Sequence, residues 1–196
     1  VCYVGAGSRY ERDEEAGIAH LIEHMVFKGT ERYPTAPAIA EAIEGVGGSL
    51  DAETGKESTV YSVKVLSRHF ELAIDLLAEM LCRPRMEPEE LEKERRVIVE
   101  ELAMYRDDPQ GWVGVLADEE FWPGLPLGRE VAGSRATVEA IPMAALRAFH
   151  AAYYVPNNVV LSIVSDLESS AVVAAVERVF GGWAPGVAPR PAPSRQ

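Results

Sequence analysis

An α+β domain is what this sequence predicts, with a mixed, largely antiparallel sheet and helices covering one of its faces. Three observations carry that expectation. Strand-like runs fall at the start, middle and end of the 196 residues, and pairs of helix-patterned segments fill the intervals between them. A hydrophobic content of 47% lets one domain of this length bury a core.

The elements follow in chain order. Residues 1–9 alternate loosely and end in Gly7 and Ser8, as a strand does. Between Glu14 and Lys28 the residues Ile18, Leu21, Ile22, Met25 and Val26 recur at helical spacing, and Gly29 marks the stop. A second helix is expected after Thr35 as its cap, with Pro37 in its first turn and Gly45 to Gly48 ending it. "SLDAET" and "STVYSVKVL" read as a hairpin. The apolar run that begins at Ser67, read as a cap, predicts a helix broken by Pro84. The next helix has Pro88 inside its start and Pro109 beyond its end, and a further one spans Gln110 to Phe121. An irregular stretch surrounds "WPGLPLGREVAG". "IPMAALRAFHAAYY" reads as helix, "NNVVLSIVSD" as a continuous apolar strand and "ESSAVVAAVERVFGG" as the last helix. Residues 1–183 then form one domain, whose first strand is expected to lack part of its upstream length, and the Pro-rich residues 184–196 form a linker to a further domain.

Composition narrows the function classes. Nineteen basic against 31 acidic residues give a net charge of −12, which argues against nucleic acid and anionic lipid and favours a cationic partner or peptide. No apolar run approaches the ~20 residues of a membrane-spanning helix. Cys2 and Cys82 are too few for a disulfide framework and read as small buried hydrophobes. A cytoplasmic location is the expectation, with the periplasm the alternative if an upstream signal precedes Val1.

The chemistry concentrates in "GIAHLIEHMVFKGT". On a helix advancing about 100° per residue, His20 and His24 lie about 40° apart with Glu23 beside them, on a face turned away from the apolar stripe centred on Ile22. Two imidazoles so placed can reach one Zn²⁺ and leave a carboxylate free to act on water. The competing reading is an ordinary polar helix face. A third ligand would come from another rigid element, and the helix from 88 to 107 offers two. Around Ile98, the residues Leu91, Leu102 and Tyr105 make an inward stripe, with Glu94 and Glu101 within about 60° on its edge and Glu100 about 160° away. A carboxylate on that edge needs a metal or a cation, so a pair of glutamates bonded to Arg or Lys is the alternative.

These residues carry a family resemblance. His-x-x-Glu-His is the inverzincin order, and the chain resembles the amino-terminal catalytic domain of the pitrilysin, insulysin and mitochondrial processing peptidase family of zinc metallopeptidases, especially its bacterial processing-protease-like members. "GSRYE", "HLIEHMVFKGT", "GGSLDAETGKESTVY", "EKERRVIVEELAMYRDDP", "PLGR" and "YYVPNNVVL" occur in the family's order, and Glu101 follows His24 after 76 intervening residues, the family's interval to its third ligand. The resemblance implies a half-clamshell fold, with His20, His24 and Glu101 as zinc ligands, Glu23 as the general base that activates zinc-bound water, and Glu94 as an outer support of the site. It implies that Asp51, Ala52 and Thr54 line an edge strand that pairs with substrate. Asp51 stands where the family usually has Asn, Leu125 where it often has His, and Ser165 where it often has Gly.

The implied function is zinc-dependent endoproteolysis of extended, possibly basic, peptides, performed together with a second homologous domain or partner subunit. The alternative is a non-catalytic zinc-binding or assembly subunit of a two-part protease.

Overall fold

The hairpin organises the sheet. β2 (Ser49–Thr54) and β3 (Thr59–Lys64) pair antiparallel, with Ser49 opposite Lys64 and Thr54 opposite Thr59. In this computed structural model, which describes residues 1–190, β1 (Cys2–Val4) pairs antiparallel with β3 on one side and with β4 (Val159–Leu161) on the other, giving the order β2-β3-β1-β4. Alternation sorts the faces: Cys2, Val4, Thr59 and Tyr61 are buried, whereas Tyr3 and Val160, which pair with each other, are exposed. The Tyr61 hydroxyl, fully buried, is satisfied by the Tyr154 hydroxyl at 2.7 Å. The last six residues of the expected linker, 191–196, lie outside the described residues.

Helices cover the inner face. α1 (Ile18–Val26), α2 (Ala36–Glu44) and α3 (Phe70–Cys82) pack on β2 and β3, and α4 (Pro88–Asp107) and α7 (Met143–Tyr153) close over α1. α5 (Pro109–Phe121), α6 (Arg135–Ala140) and α8 (Ser169–Phe180) complete the helical layer. α1 is therefore enclosed on most sides. Its Ile18, Leu21, Ile22, Met25 and Val26 are fully buried, each worth about 1.5–3 kcal/mol of transfer free energy. Among the described residues no helix is long and apolar enough to cross a membrane.

Local signals placed several boundaries well. Thr35 caps α2 by accepting from the Ala38 N–H at 3.3 Å, and Pro88 and Pro109 open α4 and α5. Others need correction. Ser67 caps nothing: it begins a single 3₁₀ turn, Ser67–His69, and α3 starts behind it without a side-chain cap. The expected strand through "NNVVLSIVSD" is regular over only three residues, and beyond them Ser162 exchanges two bonds with Val1, its N–H donating to the Val1 carbonyl at 2.8 Å and its carbonyl accepting from the Val1 amine at 2.9 Å. Tyr105 does not join the inward stripe; it is 45% exposed, since α4 runs past the core after the half-buried Leu102. The first helix begins four residues later than Glu14, for a reason that concerns Glu11 below.

One buried group gives the fold a pH dependence. His150 on α7 has Nε2 3.0 Å from the Leu81 carbonyl and stacks on Tyr154 at 4.4 Å. Burial, opposed by that hydrogen bond, pushes its pKa from 6.5 down to about 4. The folded state thus holds a neutral ring while the unfolded chain takes up a proton below pH 6.5, so this stability is intact above 6.5 and is lost as pH falls towards 4. Urea unfolding at pH 7.5 and 4.5 is expected to show wild type losing about 2–3 kcal/mol relative to His150→Gln. Parallel losses in both proteins would contradict this.

Candidate metal centre

α1 presents His20 and His24 one turn apart, and their rings meet edge to face with centroids 4.6 Å apart. The layer that covers this face is α4, not solvent. Glu101 of α4 turns Oε2 towards both rings, 3.5 Å from His24 Nε2 and 3.9 Å from His20 Nε2. One ligand atom from each of the three residues fits within a sphere of mutual distances no greater than 4.8 Å. Tetrahedral zinc with bonds of 2.0–2.2 Å sets its ligand atoms about 3.4 Å apart, so the donors stand close to the spacing the ion requires.

The chemistry of the donors fits as well. Glu101 Oε2 is buried and has no hydrogen-bond partner among the described residues, an arrangement that costs free energy unless a cation meets it. His20 is held neutral, its pKa lowered to about 4 first by burial and then by His24, and a neutral imidazole is the form that binds metal. His24 Nδ1–H donates to Glu94 Oε2 at 2.9 Å, which fixes the ring and leaves Nε2 facing Glu101.

Glu94 is 4% exposed and its other oxygen pairs with Lys28 Nζ at 2.8 Å. Burial alone would raise its pKa, but the hydrogen bonds from His24 and Lys28 outweigh burial and hold it below the ordinary value. On that helical edge Glu94 takes a cation, Lys28, while Glu101 faces the two histidines. Glu100 is exposed. Lys28 lies two residues past the end of α1, four positions after His24, and that spacing is the sequence signal for the pairing.

Glu23 lies between α1 and β2. Its carboxylate accepts from the Thr54 hydroxyl, which itself lies 3.4 Å from the Thr59 hydroxyl. Burial raises the Glu23 pKa above the ordinary value, and the Thr54 bond and His24 oppose the rise. Of the other β2 residues, Asp51 is exposed and Ala52 half-buried, and β2 is an edge strand among the described residues. Thr54, expected on the strand that pairs with substrate, therefore also touches Glu23 through its side chain.

Comparison with known proteins gives the family. Residues 1–135 match the family described as Insulinase (Peptidase family M16), and residues 140–196 match Peptidase M16 inactive domain. The chain belongs to peptidase family M16. An uncharacterised zinc protease of Mycobacterium leprae is 39% identical over 179 residues, covering 91% of this chain and 40% of that protein. The uncharacterised zinc protease YmxG of Bacillus subtilis is 37% identical over 181 residues, covering 92% and 44%. Pitrilysin, at 28% identity, superimposes with a TM-score of 0.83 over 92% of this chain and 20% of its own. The chain thus spans less than half the length of these relatives.

Proposed function

We propose that the chain forms the metal-binding and proton-transferring half of a zinc-dependent endopeptidase acting on extended peptides. The observation that carries this reading is the meeting of His20, His24 and Glu101 with Glu23 beside them and free of the three-residue cluster. His20, His24 and Glu101 would hold the ion. Its contribution when bound is to polarise the scissile carbonyl and make water easier to deprotonate.

The remaining work falls to the chain's own groups. Glu23 takes the proton of the attacking water and passes it to the leaving amine, with its carboxylate oriented by the Thr54 hydroxyl. Glu94 and Lys28 hold His24 in the tautomer that exposes Nε2. The free edge of β2, at Asp51 and Ala52, offers main-chain groups to an extended peptide. The net charge of −12 favours basic segments. Residues 1–183 act as the domain and 184–196 as a linker to a second domain, and a second homologous domain or a partner subunit completes the protease, consistent with relatives more than twice as long.

A quenched-peptide assay on the chain, alone and combined with a second homologous half, tests this. Hydrolysis is expected to disappear on chelation and return with stoichiometric zinc. Full hydrolysis by metal-stripped protein would overturn the proposal.

A further inference from the structure

The motif "GSRYE" takes no part in the chemistry above, yet its glutamate is buried. Glu11 is 5% exposed, and both of its oxygens are used: Oε2 accepts from the Gly17 N–H and Oε1 from the Ala19 N–H, each at 2.9 Å. These groups begin α1. A helix normally satisfies its first N–H groups with the side chain of its own N-cap residue. Here the N-cap is Gly17, at φ +95°, and a Cβ there would stand 2.5 Å from the Ala132 carbonyl oxygen. Ser, Thr, Asp and Asn are excluded from the position by both backbone angle and space. Opposite it, Gly133 at φ +77° meets the Ala16 carbonyl just as closely, at 2.2 Å for an added Cβ.

Glu11 is itself anchored. Arg129 Nη2 donates to the Glu11 carbonyl at 2.8 Å and to the Ser8 carbonyl at 3.1 Å, and its other arm pairs with Asp13. The cap, its anchor and the crossing loop thus clasp one end of a nine-residue helix. His20 follows Ala19 directly.

We propose that Glu11 is a positioning residue for the metal site: by capping α1 from outside the helix, it fixes the first turn from which His20 and then His24 are aimed at Glu101. This rests on the reading of those three residues as metal ligands. A carboxylate suits the task twice over, since it can accept from two N–H groups at once and its charge lies at the positive end of the helix. An amide of the same shape has one oxygen, so Glu11→Gln must set an NH₂ against one of the two N–H groups, and the turn has to shift.

The test measures zinc affinity by chelator competition at pH 8, above the value of about 7 to which burial raises the Glu11 pKa, in wild type, Glu11→Gln, Glu11→Asp and Thr35→Ala. The last removes a cap bond from α2 and serves as a control for lost stability alone. Glu11→Gln is expected to bind zinc about 10–100-fold more weakly, and Glu11→Asp, whose reach is shorter, at least several-fold more weakly. Cobalt bound in place of zinc is expected to show a shifted visible spectrum in both. Thr35→Ala is expected to lower Tm with zinc affinity within twofold of wild type. Unchanged affinity in Glu11→Gln would overturn the proposal, and if that variant does not fold, unchanged affinity in Glu11→Asp would do the same. An equal loss in Thr35→Ala would also overturn it, by showing that stability alone is being read. Wild type that binds no zinc would overturn the site reading first and this inference with it.

Discussion

In Glu23→Gln, kcat/KM for a quenched peptide is expected to fall by about 10²–10⁴-fold, the usual contribution of a positioned general base, while zinc content and affinity stay at wild-type values. The substitution keeps the size of the side chain and an oxygen for the Thr54 hydroxyl, so the packing between α1 and β2 has little reason to change. What it removes is the ability to take a proton. Burial raises the Glu23 pKa towards the working range of a base. The split between lost hydrolysis and retained metal is the decisive feature. Loss of zinc together with activity would mean that Glu23 is a ligand, and retained activity would mean that another group moves the proton.

The second large effect separates neighbours. Glu101→Ala is expected to weaken zinc binding by more than the 10–100-fold typical of losing a supporting residue, because it removes a ligand outright. Glu100→Ala should leave affinity unchanged, since Glu100 is exposed on the far side of α4. Isothermal titration with zinc checks both, and Tm gives a second reading: saturating zinc raises the Tm of Glu100→Ala as it does that of wild type, but fails to do so for Glu101→Ala at the same concentration. Equal affinity in the two variants would remove Glu101 from the site.

Much of this architecture is legible in local pattern because local physics decides it. The hairpin strand "SLDAET" matches β2 residue for residue, and Thr35, Pro88 and Pro109 mark helix starts through capping and fixed backbone angles that need no tertiary context. Helical phase alone brings His20, Glu23 and His24 together and rejects Glu100. It does not choose between Glu94 and Glu101, which share one edge of α4; that choice depends on α1 lying alongside, where Glu94 meets Nδ1 of His24 and Glu101 meets the two Nε2 atoms.

The misses have the same character. The start of α1 is set by Glu11, six residues before the helix's N-cap, and by the close approach of Ala132, neither visible to a scan for capping residues at the helix itself. α6 is too short for a hydrophobic period, and its one signal, the capping box between Ser134 and Thr137, stands just beyond the stretch read as irregular. β4 reads as a longer apolar run, whereas its register with β1 spans three residues and is followed by the pair of bonds between Val1 and Ser162.

X-ray absorption at the zinc edge tests the central claim most directly. Metal-stripped chain loaded with one equivalent of zinc is expected to show only nitrogen and oxygen neighbours at about 2.0–2.2 Å, with two imidazole scattering patterns, and His20→Ala and His24→Ala should each remove one of them. Sulfur neighbours at about 2.3 Å, or a spectrum unchanged by both substitutions, would contradict it.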